Sequence, residues 1–172
     1  MYADITIKAR CPEPAKVESI LLENDAAYVG LDAQTDTYYK TDYGKLKHRQ
    51  GNIENVLIHY NRRFTGDAMQ TEVLLYLKNP SEETIAQICG GQQQQMRVKK
   101  LRKIYFIENV KFHIDYLEEL GHFVEIEAID LDGSLGVDML NQQCSYYQEL
   151  LQIEEVDLVT SSYSELLTTN KS

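Results

Sequence analysis

Charged and polar side chains recur at every second position in segment after segment of this sequence. Asp4, Thr6 and Lys8 alternate near the start, and Lys45, Lys47 and Arg49 follow. Tyr60 and Arg62, Lys100 and Arg102, His113 and Asp115, and Glu125 and Glu127 repeat the pattern further on. In a β-strand, residues i and i+2 point to one face of the sheet. Each strand therefore carries a polar stripe in which cations and carboxylates mix. The opposite faces are read as apolar: Ile5 and Ile7, Leu46, Leu101, Ile114, Ile126 and Phe123. A single charged face ordinarily looks at solvent. Here the whole set, backed by apolar faces that helices can cover, fits a barrel whose polar face turns inward around water. Small barrels with apolar interiors do not need this arrangement.

Charge balance narrows what such an interior holds. Lys and Arg number 17 against 27 Asp and Glu, a net charge of −10. General nucleic-acid binding is not expected, because phosphate backbones are held by a net basic face. The cations are local, so the anion they take should be small and enclosed. Two like charges 4 Å apart repel by roughly 4 kcal/mol at an effective dielectric of 20. Facing carboxylates offset that repulsion at rest, and a phosphate chain offsets it on binding. Arg grips phosphate oxygens in pairs, whereas Lys acts as a point charge. Glu125 and Glu127 offer the hard oxygen ligands of Mg²⁺ or Mn²⁺, and Mg²⁺ commonly bridges carboxylates to substrate phosphates. The stripes thus contain the parts of a metal–triphosphate site.

Other signals are mostly negative. No apolar run reaches membrane-spanning length, and Met1 leads directly into a charged segment, so no signal peptide is expected. Cys11, Cys89 and Cys144 are far apart, which points to buried, reduced thiols in the cytoplasm. There is no G-x-x-x-x-G-K-[ST] phosphate loop and no G-x-S-x-G nucleophile elbow.

Along the chain, strands are expected over Met1–Cys11, Gln34–Thr41, Lys45–Gln50, Val56–Arg63, Glu72–Lys78, Met96–Ile107, Val110–Tyr116 and His122–Ile129. A helix over Ala15–Asn24 buries Val17, Ile20, Leu21 and Asn24. A second starts in Asn79–Glu83, with a polar cap and Pro in the first turn, and stops at Gly90-Gly91. Ser134–Leu151 is a third, with Met139, Leu140, Tyr147 and Leu151 as packing residues. Phe64–Gln70 reads as a mobile loop, Tyr116–Leu120 as a helical turn closed by Gly121, and Ser162–Leu167 as a short helix before a frayed end at 168–172. About eight hairpin-connected strands with a few helices favour an α+β fold: an antiparallel sheet or closed barrel in a single domain over 1–172.

Several segments then occur in a telling order: Asp4–Arg10, Gln34–Tyr39, Lys45–Arg49, Leu57–Arg62, Lys100–Tyr105, Phe123–Glu127 and Tyr163–Leu167. In these the chain resembles the CYTH superfamily, also called triphosphate tunnel metalloenzymes, and most of all its class IV adenylyl cyclase-like group. The resemblance covers roughly residues 1–168. It implies an eight-stranded antiparallel β-barrel forming a tunnel with a polar interior and flanking helices, acting on triphosphates with Mg²⁺ or Mn²⁺. It implies phosphate contacts from Lys8, Lys45, Lys47, Arg49, Arg62, Lys100 and Arg102, with Lys8, Lys100 and Arg102 serving catalysis. It implies metal ligands, or their supports, in Asp4, Asp115, Glu125 and Glu127. Tyr38, Tyr60 and His113 are further candidates, His113 because it shares a stripe with Asp115 and could transfer a proton.

One departure stands out. The family signature E-x-E-x-K reads Asp4-x-Thr6-x-Lys8 here. A Thr6 hydroxyl can hold a metal-bound water but cannot balance the metal's charge. The expected activity is conversion of ATP to cyclic AMP and pyrophosphate. Hydrolysis of an inorganic or organic triphosphate and non-catalytic polyphosphate binding are the alternatives. The expected partner is a small triphosphate such as ATP or tripolyphosphate, with no nucleic acid or membrane, in a cytoplasmic monomer or homodimer.

Overall fold

The computed structural model describes residues 3–170. Met1 and Tyr2 of the expected first strand, and Lys171 and Ser172 of the expected frayed end, lie outside the described residues. The chain runs β1 (Ala3–Arg10), α1 (Pro14–Glu23), β2 (Ala27–Tyr39), β3 (Lys45–Gln50), β4 (Asn55–Thr65) and β5 (Ala68–Lys78). It continues through α2 (Glu82–Cys89), β6 (Gln94–Ile107), β7 (Val110–Leu117), β8 (Gly121–Asp130), α3 (Val137–Leu150), β9 (Leu158–Val159) and α4 (Tyr163–Asn170). The strands pair antiparallel in the order β5-β4-β3-β2-β6-β7-β8-β1, and β1 returns to β5 through pairs such as Asp4–Thr71 and Thr6–Met69. Eight strands thus close on themselves, which removes the sheet edges. The two-residue β9 adds to β1 beside Lys8 and Ala9.

Strand parity explains where the core sits. The odd positions Ile5, Ile7 and Ala9 of β1 and the even positions Ile114, Val124 and Ile126 of β7 and β8 point outward. There they meet Val17 and Leu21 of α1 and Leu140 and Cys144 of α3. Leu46 and Leu57 likewise lie against Cys89 of α2. The fold is therefore inside out for a small barrel, with its apolar packing outside and its charges within. Each fully buried side chain such as Leu21 contributes about 1.5–3 kcal/mol. All three cysteines are free and buried.

Two face assignments are corrected. Phe123 has the parity of Glu125 and Glu127, so it points inward. It joins Val98, Leu117, Tyr163 and Leu167 in an apolar plug at one end of the barrel. Leu101 faces outward but stays 43% exposed rather than packing under a helix. Within the helices, Asn24 is exposed and returns its amide to the Ile20 carbonyl, while Met139 is 44% exposed.

Several boundaries also moved. The expected mobile loop at Phe64–Gln70 is mostly paired strand: β4 runs to Thr65 and β5 starts at Ala68, joined by a turn in which Gly66 adopts φ +69°. That conformation suits glycine. β2 begins at Ala27, seven residues before the polar pattern shows itself. β7 continues to Leu117, and a turn rather than a helix leads to β8. The α2 cap is Ser81, whose hydroxyl accepts the Thr84 amide at 3.1 Å, so Pro80 precedes the cap instead of lying in the first turn. α3 starts at Val137, after a reversal in which Asp130 accepts the Gly133 and Gly136 amides. α4 stays helical to Asn170.

Candidate functional site

The inward stripes meet in one cavity of about 100 Å³. Asp4, Lys8, Tyr38, Lys47, Arg49, Tyr60, Arg62, Lys100, Arg102, His113, Glu125 and Glu127 all line it. So do Asp36, Glu54 and Lys111. Seven cations face five carboxylates here, so the cavity is net positive inside a protein of net charge −10.

Two of the expected residues do not line the cavity. Lys45 lies at the barrel end, 3.2 Å from the Ser162 hydroxyl and 3.4 Å from the exposed Glu165 carboxylate. Asp115 is fully buried behind Arg102, which donates two hydrogen bonds of 2.7 Å to it. The Tyr163 hydroxyl donates a third, also 2.7 Å.

The carboxylates fall into two sets. Asp36 accepts Arg49 at 2.8 and 2.9 Å and Lys100 at 2.9 Å, and Lys47 stands 3.5 Å away. Burial alone would raise its pKa, but Arg49, Lys100 and Lys47 together hold it well below the usual carboxylate range. Glu54 accepts Lys111 at 2.5 Å, and Arg49 lies 3.4 Å away, so it too is held low against its burial. Asp4 behaves in the opposite way. Burial raises its pKa strongly, and the charge of Glu127, to which it is hydrogen-bonded, raises it further. Two carboxyl groups in contact share a proton unless a cation replaces it. Thr6 Oγ1 adds a 3.3 Å hydrogen bond to Asp4 and stands opposite Glu127 across β1 and β8.

The cations also divide. Arg49, Lys100 and Arg102 are anchored by short ion pairs. Lys8 donates to the Ser161 carbonyl at 3.2 Å and sits 4.0 Å over the Tyr163 ring. Burial lowers its pKa to about 8, against the pull of Glu125. Arg62 lies 5.1 Å over the Tyr60 ring, and its buried Nε finds no hydrogen-bond partner among the described residues. Buried ion networks seldom stabilise a fold relative to apolar packing. Stability alone therefore does not account for this interior, and Lys8 and Arg62 remain available to an anion, with Lys47 beside them 3.5 Å from Asp36.

The residues fit a divalent cation. His113, Asp115 and Glu125 bring ligand atoms within 4.8 Å of one another. Asp115 is already occupied by Arg102 and Tyr163, and Glu125 also accepts Arg102 at 3.1 Å; of these acids and imidazoles, Asp4, Glu125, Glu127 and His113 line the cavity. Both buried ring nitrogens of His113 lack a hydrogen bond, with Glu125 and Glu127 each 3.9 Å away. Burial, then Arg102 and Lys111, lower the His113 pKa and favour the neutral imidazole.

Sequence reasoning passed over four of these residues. Lys111 continues the His113–Asp115 alternation by one step, and Asp36 precedes Tyr38 by two, so period-two spacing could have found both. Glu54 lies in the β3–β4 turn and Tyr163 on α4. No alternation reaches either, although Tyr163 falls in a segment that carries the family resemblance.

The chain belongs to the CYTH domain family, whose profile matches residues 4–163. Members of this family bind triphosphates and depend on a metal. Among solved structures the fold matches protein PH1012 of Pyrococcus horikoshii OT3, with TM-score 0.78 and 21% identity over 95% of this chain and 98% of that one. It matches a Vibrio parahaemolyticus protein with a provisional adenylate-cyclase assignment, with TM-score 0.80 and 16% identity over 96% and 97%. It also matches the Hippeastrum protein HpAC1, described as having a dominant triphosphatase activity, with TM-score 0.66 and 12% identity over 99% and 96%. No curated protein matches the chain in sequence. Among the described residues no helix is long and apolar enough to cross a membrane.

Proposed function

We propose that the protein binds a nucleoside triphosphate in this tunnel and converts ATP to cyclic AMP and pyrophosphate. The observation that carries the reading is the net-positive cavity in which Lys8 and Arg62 lack a close carboxylate partner while Asp4, hydrogen-bonded to Glu127, has its pKa raised. Lys8, Lys47 and Arg62 bind the phosphate oxygens. Arg49, Lys100 and Arg102, held in place by Asp36 and Asp115, line the path and offset the charge that develops on the departing pyrophosphate. Asp4, Glu125 and Glu127 hold a divalent cation, Mg²⁺ or Mn²⁺, which when bound supplies Lewis-acid polarisation of a phosphoryl oxygen. The ribose 3′-oxygen attacks the α-phosphorus, the bridging oxygen leaves with pyrophosphate, and the hydroxyl proton passes to neutral His113.

Hydrolysis is the second reading, favoured by the triphosphatase activity described for the Hippeastrum relative. The same charges serve it, with water in place of the ribose hydroxyl. Incubation with ATP and Mn²⁺, with cyclic AMP, ADP, pyrophosphate and phosphate resolved, separates the two. Cyclic AMP with pyrophosphate is expected; ADP and phosphate without a cyclic product reject the cyclase. Tripolyphosphate should raise the melting temperature, since a ligand of the native state stabilises it by mass action. No shift at millimolar ligand, with or without metal, rejects the tunnel reading altogether.

A further inference from the structure

Asp32 faces inward on β2 with Gln34 and Asp36 and is fully buried, yet it does not line the tunnel. Among the described residues no cation lies within ion-pair distance of it. Its carboxylate serves the β3–β4 turn instead. It accepts the Ile53 amide at 2.9 Å, the Glu54 amide at 3.0 Å and the Gln34 side-chain amide at 2.8 Å. Gly51 makes room for it, since a Cβ there would collide with both carboxylate oxygens. Asn52 fastens the turn a second time: its side chain accepts the Ala33 amide at 2.6 Å and donates to the Leu31 carbonyl at 3.0 Å. Connecting segments ordinarily run loose over the surface. This one is fixed well beyond what joining two strands requires.

What the turn delivers to the interior is Glu54. Glu54 accepts the Gln34 amide at 3.0 Å, which ties it to Asp32, and it accepts Lys111 at 2.5 Å. Lys111 also stands directly across from Glu127 in the β7–β8 register, and Glu127 feels its charge more than that of any other cation. Two carboxylates therefore compete for one ammonium. We infer that Asp32 is a positioning residue: through the turn it sets Glu54 against Lys111, and Glu54 thereby weakens the hold of that ammonium on Glu127. The inference rests on the metal assignment proposed above. It adds two residues that act on the metal site through Lys111 rather than as ligands. Without them Lys111 pairs more closely with Glu127, and an incoming cation has to displace it.

The test is Mn²⁺ binding to the full chain without nucleotide, read by calorimetry. Glu54→Gln keeps the side-chain shape and removes the charge. It should weaken Mn²⁺ binding about tenfold, the lower end for groups that support metal ligands. Asp32→Asn should weaken it in the same direction. In a Lys111→Met background, neither substitution should change Mn²⁺ affinity by more than about twofold, because the ammonium they control is gone. A merely structural role would persist without Lys111. Unchanged affinity in either single variant, or an equal loss with and without Lys111, overturns the inference and leaves the metal site standing. If the wild-type chain binds no Mn²⁺, the metal assignment fails and the inference with it. Should Asp32→Asn fail to fold, Gly51→Ala displaces the same carboxylate and decides together with Glu54→Gln.

Discussion

At the α4 end of the barrel, Val98, Leu117, Phe123 and Leu167 close over the charged interior, whereas at the other end Glu54, Lys111 and Glu127 open onto an apolar cavity of about 630 Å³. The difference extends to the charges behind each end. Near α4, Asp115 is saturated: Arg102 and Tyr163 donate to it at 2.7 Å, and it has no contact with the cavity. Toward the mouth, Asp4 is hydrogen-bonded to Glu127, and burial and that carboxylate's charge raise its pKa. One set of acids holds the protein's own arginines and a helix in place. The other is left strained in a way that a metal would relieve. A residue's charge thus says little about its task until its partners are known.

Breaking the closed end should have the largest effect. Asp115→Asn removes the charge of Arg102's two-bond partner and leaves it only Glu125 at 3.1 Å; removal of one partner of a buried ion pair costs about 3–5 kcal/mol, and Glu125 sets the expected loss at the lower end. Urea denaturation should show a loss of that order, together with release of α4. In the tunnel itself, Arg62→Ala removes a guanidinium that has no structural hydrogen bond at Nε. Its effect should be on ligand rather than fold: about 1.5–3 kcal/mol of triphosphate affinity by calorimetry, the worth of hydrogen bonds to charged groups, with an almost unchanged melting temperature.

Acidity separates the two roles again. Burial sets both Lys8 and Lys100 to about 8, from 10.5 in the unfolded chain. Below about pH 8 both are charged, and triphosphate affinity is full; it should fall as pH rises through 8, by about 1.4 kcal/mol per lysine for each unit. Stability without ligand should move the other way. Between pH 8 and 10.5 the unfolded chain binds more protons at these two sites, so their contribution favours folding as pH rises. A titration in which affinity and stability move together would contradict the burial of these amines.

Thr6→Glu sharpens the mouth end. A fourth carboxylate opposite Glu127 should raise Mn²⁺ affinity on the order of tenfold, since ligand charge count sets the affinity of oxygen sites. It should also lower stability in the absence of metal. Unchanged metal affinity would show that Thr6 is not what limits the site. The smallest effect belongs to Glu165→Ala. Its pair with Lys45 is exposed, at 3.4 Å, and such pairs contribute at most about 1 kcal/mol; denaturation should shift by less than half of that.

The sequence carried much of this because strand parity is local. Lys47 and Arg49, or Glu125 and Glu127, share a face whatever the sheet does next, and the stripes thereby named the cavity's walls before any pairing was known. The α+β class and most element positions followed from the same period, together with caps and turns. Where parity was set aside it failed: Phe123 belongs with Glu125, and it points inward. Where the period is silent, as in the β3–β4 turn, Glu54 could not be seen.

Only the tertiary structure decided how the stripes meet. Closure depends on β1 pairing with β5 as well as β8, contacts separated by more than sixty and more than a hundred residues. The β1–β8 pairing brings Asp4 onto Glu127, while β2, paired between β3 and β6, stacks three cations on Asp36. The tail then returns to place Tyr163 on Asp115. Facing is a property of neighbouring residues and can be read from their spacing, whereas which charge faces which depends on long-range register and on the chain's return. The alternation therefore named the residues of one polar surface, and long-range pairing decided which acids met cations and which met another acid.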